Sequence, residues 1–244
     1  MLLKACLNGS RSPAEHPALP VTPVQLSADT VAAVAAGAQA VHIHPKDATG
    51  ADTLDAAAVA AALDSVRAAA PGIPIGVTTG AWAVDSQAQR LTAVRDWRVL
   101  PDFASVNWHE TGAAELAAVL LDRGIGVEAG LWTQRAVASW NSWPRRAGCL
   151  RVLLEIVDDL TPAAAVAAAG ELLDALAPSP GIPVLLHGEG ASAWPILHES
   201  VRRRLDVRIG LEDVLLLPNG QLAPNNAALV VAARRIIGDL TVTG

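Results

Sequence analysis

Short apolar runs recur along this chain, and each ends in polar residues. A turn containing Gly or Pro follows, and then an alanine-rich stretch of helical length. The runs predict eight strands: Leu2–Asn8, Ala40–His44, Ile75–Thr79, Ala104–Asn107, Gly126–Leu131, Leu150–Ile156, Val184–Gly188 and Val207–Leu211. Helices are expected near residues 26–36, 54–70, 86–97, 112–123, 133–141, 161–177, 191–204 and 224–237. Ser27 and Asp29 are placed at the start of the first helix, and Pro162 follows Thr161 in the cap-then-proline order of a helix start. Gly37, Gly72 and Gly124 stand just past helix ends. Strand and helix alternating throughout imply a parallel sheet. Eight copies closing on themselves give an α/β fold, a (β/α)8 TIM barrel, as a single domain over residues 1–244. A doubly wound sheet is the runner-up, but no GxGxxG turn follows an early strand.

Composition narrows the function classes. Charged residues make up 17% and hydrophobic residues 52%, which excludes disorder. No apolar run approaches the roughly 20 residues of a membrane span. With a net charge of −6 and no basic run longer than Arg202-Arg203-Arg204, nucleic acid is excluded as a partner. Cys6 and Cys149 form no CxxC pattern and read as free buried thiols of a cytoplasmic protein. Met1–Ala5 reads as the start of the first strand rather than a signal peptide. The loop from Gly9 to Pro23, stiffened by four prolines, follows that strand and is expected to cover the barrel mouth.

In this fold the chemistry sits at the C-terminal ends of the strands. Those ends read Asn8; His42 and His44; Thr78 and Thr79; Asn107; Glu128; Glu155; His187 and Glu189; Glu212 and Asp213. In His42-Ile43-His44 alternate residues face one way, so both imidazoles point into the barrel. Neutral imidazoles held together suit a shared divalent metal; two histidines hydrogen-bonded in a polar core are the other reading. The same period places Arg208, Gly210 and Glu212 on one face. Glu212 can complete a set of two imidazoles and one carboxylate with an open position, as a catalytic metal needs. Asp213 begins the next loop and can act as a base. Alternatively, Arg208 and its carboxylates only lock the last strand. Glu128 and Glu155, inside apolar strands, must be paired or functional. His109 reads as surface, and His16 and His198 as structural or surface. Lys4 and Lys46 are the only lysines, one at the wrong end of a strand and one in a loop, which disfavours Schiff-base chemistry.

Taken in order, several segments resemble the β-keto acid cleavage enzymes, first characterised on 3-keto-5-aminohexanoate. They are Pro17–Pro23, Gly37-Ala38, Val41-His42-Ile43-His44, Thr78-Thr79-Gly80, Arg208–Asp213 and Leu222-Ala223-Pro224-Asn225-Asn226. The resemblance implies a zinc-dependent barrel that condenses a β-keto acid with acetyl-CoA to give acetoacetate and a new acyl-CoA. It implies zinc (Zn2+) on His42, His44 and Glu212, with Asp213 as general base positioned by Arg208. Thr78 would contact the substrate carboxylate. Thr79, Gly80, Asn107, Glu128 and Arg11 complete the expected substrate site, and a homo-oligomer, dimer or tetramer, is implied. The family's Pro-Glu-Leu-Glu after the fifth strand is replaced by Val127-Glu128-Ala129-Gly130. The chain is shorter than most members, so a loop that elsewhere helps to cover CoA is expected to be absent. Arg11 stands in the loop where the aminohexanoate enzyme places an acid, so the expected substrate is anionic or neutral. The competing functions are a metal-dependent hydrolase or C–C lyase that does not use CoA, and a ligand-binding barrel without catalysis.

Overall fold

Side chains alternate across a strand, so a closed barrel sorts every strand residue into an outer and an inner set. A computed structural model describes residues 1–157, 160–179 and 181–242. Residues 158, 159, 180, 243 and 244 of the expected 1–244 domain lie outside the described residues. The strands are β1 (Leu3–Cys6), β2 (Ala40–Ile43), β3 (Ile75–Val77), β4 (Phe103–Asn107), β5 (Gly126–Leu131), β6 (Arg151–Ile156), β7 (Val184–Gly188) and β8 (Val207–Ile209). They form one parallel sheet in the order 7-6-5-4-3-2-1-8. It closes between β7 and β8, where Asp206 exchanges backbone hydrogen bonds with Val184 and Leu186, both 3.1 Å. This is the (β/α)8 barrel that the alternation predicts.

Among the described residues eight α-helices surround it: α1 (Pro23–Ala36), α2 (Ala56–Ala69), α3 (Gln87–Asp96), α4 (Ala113–Asp122), α5 (Gln134–Asn141), α6 (Pro162–Ala175), α7 (Ala193–Arg202) and α8 (Asn226–Val242). Helix α1 begins earlier than Ser27. Thr22 accepts from Gln25 N at 3.3 Å, and Gln25 Oε1 accepts from Thr22 N at 2.9 Å, a capping box ahead of Pro23. The deciding signal is the same Thr-Pro pair that starts α6 at Pro162. No helix among the described residues is long and apolar enough to cross a membrane.

The outer set is apolar. Leu3, Ala5, Val41, Ile43, Val127, Leu154 and Ile209 pack with the helices in one continuous buried cluster. The inner set is polar to an unusual degree. Lys4, His42, Glu128, Glu155, His187 and Arg208 are all buried. At the lower end, Lys4 Nζ donates to Glu128 Oε2 at 2.5 Å, across from β1 to β5. Arg151 Nε lies 3.3 Å from Glu128 Oε1. The Phe103 ring lies under both cations, 5.6 Å from Lys4 Nζ and 5.7 Å from the Arg151 guanidinium. Glu128 was expected at the substrate. Its carboxylate instead neutralises these two cations, with both side-chain ends of the Lys4–Glu128 pair fully buried. Lys4 is likewise a structural cation rather than a nucleophile.

Removing one partner of a buried ion pair strands the other charge. Glu128→Leu is expected to cost about 3–5 kcal/mol, read by urea unfolding at neutral pH. Much of that loss should return in Lys4→Met/Glu128→Leu; a single variant as stable as wild type would show that the pair is not needed.

Candidate functional site

The strands end in a cavity of about 390 Å³ at the C-terminal mouth of the barrel. All eight strands or the loops after them contribute to it: Arg11, His42, Thr78, Asn107, Trp132, Glu155, Glu189 and Arg208 are one from each. The loop after β1, expected to cover the mouth, supplies Ser10, Arg11 and Glu15.

At the mouth, side chains take over the backbone bonds of the strands, which is why β1 and β8 end earlier than the apolar runs suggest. The Asn8 side chain bonds both the N–H and the C=O of His44, each at 2.8 Å. Asn226 Oδ1 accepts from Leu211 N at 2.7 Å, and Asn226 Nδ2 donates to Leu7 O at 2.8 Å, which pins β8 to β1 just before Glu212. Gly210 and Gly9 permit the close approach. A Cβ on Gly210 would lie 1.8 Å from Cys6 O, and one on Gly9, at φ +55, would lie 2.5 Å from Glu212 Cγ.

This framework brings His42, His44 and Glu212 together, with one candidate ligand atom from each within 4.8 Å of the others. His44 Nε2 lies 3.8 Å from Glu212 Oε2. Two of the buried atoms here, His42 Nδ1 and Glu212 Oε2, have no hydrogen-bond partner among the described residues. Burial foremost, then His44 and the cations Lys4 and Arg208, hold the His42 imidazole well below its ordinary pKa, so it is neutral. Two imidazoles, one of them neutral, and a carboxylate oxygen that nothing else satisfies fit a divalent cation bound from three sides.

Arg208 organises the acids beside this set. Its Nε and Nη2 donate to Asp213 Oδ1 at 3.0 and 2.6 Å, and Nη2 also donates to Glu212 Oε1 at 3.0 Å. Burial opposes its charge, but the carboxylates of Asp213 and Glu212 raise its pKa above the ordinary value. Asp213 does not face the cavity directly. Its N–H returns to Gly210 O at 2.9 Å, and this turn carries the side chain inward behind Arg208, fully buried. Burial raises its pKa against the opposing pull of Arg208. Oδ2 has no partner among the described residues. His187 lies between two acids, 3.7 Å from Asp213 Oδ1 and 3.3 Å from Glu155 Oε2.

The expected substrate residues divide. Thr78 and Asn107 line the cavity. Glu110, ion-paired to buried Arg90, accepts from Asn107 Nδ2 at 3.0 Å and so fixes its amide. Thr79 turns aside, its Oγ1 donating to Ser105 O at 2.5 Å, and Gly80 N donates to Thr78 Oγ1 at 3.1 Å. Arg11 lines the cavity, but Nη1 is held by Glu15 at 2.9 Å and Nε by Glu212 O at 3.2 Å. His109 is exposed, against Trp132, and His16 is buried with its Nε2 2.8 Å from Ala223 O. Sequence reasoning missed Ser105, Trp132 and the half-exposed Trp82 on the wall, and it missed Asp52. Asp52 closes a small hairpin with Lys46 around Asp47-Ala48-Thr49-Gly50, a turn legible from its Asp and Gly.

Compared with known proteins, residues 1–243 match the family described as beta-keto acid cleavage enzyme. No curated protein matches the chain. Among solved structures, the binary complex of ObcA with oxaloacetate has a TM-score of 0.75 at 17% identity, covering 90% of this chain and 63% of that one. The ternary complex of ObcA with a C4-CoA adduct and oxalate gives 0.72 at 17%, covering 92% and 64%. The 3-dehydroquinate dehydratase from Aquifex aeolicus VF5 gives 0.61 at 12%, covering 98% of each chain. At these identities the likenesses establish the fold. The chain spans less than two thirds of the length of ObcA.

Metal-freed protein titrated with a divalent cation is expected to bind about one ion per chain at the three-ligand site. His42→Ala and Glu212→Ala should each abolish saturation at that stoichiometry. Unchanged binding in both, measured by isothermal titration calorimetry, would place the metal elsewhere.

Proposed function

We propose a reaction from one premise: the chain belongs to the beta-keto acid cleavage enzyme family. It condenses a β-keto acid with acetyl-CoA, dependent on zinc, and releases acetoacetate and a new acyl-CoA. The observation that supports this most is the arrangement around one cavity of the His42/His44/Glu212 set and the Arg208–Asp213 pair. ObcA, which shares the fold, is known in complex with oxaloacetate, a keto acid, and with a C4-CoA adduct and oxalate. Action in the cytoplasm as a homo-oligomer belongs to the same proposal.

When bound, the zinc supplies a Lewis acid that polarises the ketone and carboxylate oxygens of the substrate. The chain's own residues do the rest. Thr78 and Asn107 bind and orient the substrate carboxylate from the wall formed by β3 and β4. Arg208 holds Asp213 through Oδ1 and leaves Oδ2 without a partner; because Asp213 lies behind the guanidinium, taking the α-proton requires Arg208 to shift and open Oδ2 to the cavity. The resulting carbanion displaces CoA from acetyl-CoA. The thiolate then adds to the original ketone carbon, and the C–C bond breaks to give the acyl-CoA. The acetoacetate carbanion recovers its proton from Asp213. Trp132 and Trp82 frame the mouth and limit access of water.

Glu189 gives the cavity a pH dependence. Burial foremost, with the negative charges of Asp213, Glu155 and Glu212 and against Arg208, pushes its carboxyl up to about 8. Below that pH it is neutral; above it, a negative charge faces an anionic substrate. The KM for the keto acid is therefore expected to rise as pH passes about 8, and Glu189→Gln should flatten that rise. A KM independent of pH in the wild type would remove Glu189 from the binding surface.

The direct test is acyl-CoA formation from a panel of β-keto acids with acetyl-CoA, on protein of known metal content. Thioester exchange should fall by at least about 100-fold in Asp213→Asn, the scale of one general base, and be lost in His42→Ala. Turnover of a keto acid without acetyl-CoA would favour a metal-dependent hydrolase or C–C lyase instead.

A further inference from the structure

We infer that Asp52, in the loop after β2, is the positioning residue of the metal site: it fixes the His44 imidazole in its Nδ1–H form, so that Nε2 presents a lone pair towards Glu212. This rests on the metal reading above and concerns binding of the ion, not turnover. Three donors converge on this one carboxylate, whose side chain is 4% exposed. Oδ2 lies 2.9 Å from His44 Nδ1 and accepts from Trp82 Nε1 at 2.7 Å, while Oδ1 accepts from Lys46 Nζ at 2.5 Å. An ionised carboxylate only accepts hydrogen bonds, so the proton between Asp52 and His44 sits on Nδ1. Lys46 Nζ and Trp82 Nε1 can only donate, so both oxygens of this carboxylate are already engaged as acceptors. The other ring nitrogen, Nε2, then faces Glu212 Oε2 at 3.8 Å.

The two histidines of the His-x-His pair are held differently. His44 has a partner for each degree of freedom: Asn8 for its backbone, the Trp82 ring stacked at 6.1 Å and 22° for its plane, and Asp52 for its tautomer. His42 Nδ1 has no partner among the described residues. A carboxylate behind a ligating imidazole orients the ring and raises its basicity. Lys46 extends the arrangement, since its Nζ also donates to the carbonyls of Gly9 at 2.7 Å and Arg11 at 3.2 Å. Those residues begin the loop that passes over Glu212. Asp52 thus links the ligand from β2 to the segment covering the ligand from β8.

The test uses the full chain freed of metal. With 15N-labelled histidine, two-bond 1H–15N spectra report the tautomer, and the His44 signals are those missing in His44→Gln. Wild type should show Nδ1–H, and Asp52→Ala should lose that preference. Competition between the protein and a chelator for Zn2+ alone should show affinity roughly 10- to 100-fold weaker in Asp52→Ala. Lys46→Met, which removes the Oδ1 partner and the ties to the Gly9 and Arg11 carbonyls but keeps the Asp52–His44 contact, should stay near wild type. An Nε2–H tautomer in the wild type would overturn the inference and needs no variant. Unchanged zinc affinity in Asp52→Ala would overturn it too, as would equal losses in both variants, which would make Asp52 a loop anchor. No keto acid or thioester is involved, so an inert enzyme in the turnover assay leaves these results standing.

Discussion

The interior of this barrel contains charges, and every charge inside a closed barrel must find its counter-charge there. Period-two alternation sends Lys4, His42, Glu128, Glu155, His187 and Arg208 inwards, where solvent cannot solvate them. The pairings that satisfy them fix the structure from the base upwards. Glu128 neutralises Lys4 and faces Arg151 at the lower end, and Arg208 gathers Asp213 and Glu212 at the upper end. Among the described residues, the buried atoms left without a hydrogen bond fall in two main groups: Glu128 Oε1 with Arg151 Nε and Nη1 at the lower end, which face each other as an ion pair, and His42 Nδ1, both His187 ring nitrogens, Glu212 Oε2 and Asp213 Oδ2 around the upper cavity. The upper group adjoins a cavity that a ligand can fill, and its unpartnered atoms suit one.

Adjacent residues Glu212 and Asp213 receive opposite tasks through the turn at Gly210. Glu212 stays on the cavity side with one oxygen on Arg208 and the other towards His44. Asp213 folds back behind the same guanidinium. The separation works because Gly210 lets β8 press against Cys6 O and because Asn226 holds Leu211 in place. A close approach of two backbones and one buried amide therefore set the position of two acids.

Much of this was legible in the sequence because strand alternation and helix punctuation are local. The eight apolar runs, and the shared face of His42 with His44 and of Arg208 with Glu212, follow from period two. Height along the barrel axis does not. Glu128 has the correct face for a substrate residue but sits low enough to meet Lys4, and only the stagger of β5 against β1 decides that. The inward turn of Asp213 depends on a backbone bond to Gly210, which spacing does not reveal. Asp52 was invisible for another reason: its partners His44, Lys46 and Trp82 are assembled from two loops. The hairpin turn at Asp47–Gly50 was readable, but its consequence, a carboxylate delivered behind a histidine, was not.

Arg208 is the point at which metal binding and proton transfer become one problem. A single Nη2 bonds Asp213 Oδ1 and Glu212 Oε1 at once. Any movement of this guanidinium changes the orientation of a metal ligand and of the proposed base together. Lysine would keep the charge but lose the planar fork that gives Asp213 two bonds and Glu212 a third. The contributions of Glu212 and Asp213 are therefore coupled through a shared partner and need not add. The adjoining wall of β6 and β7 differs. Glu155 and His187 meet each other without a guanidinium between them, and burial raises the Glu155 carboxyl and lowers the His187 imidazole. The charged side around Arg208 carries the metal set, and His187 joins it to Glu155 through Asp213.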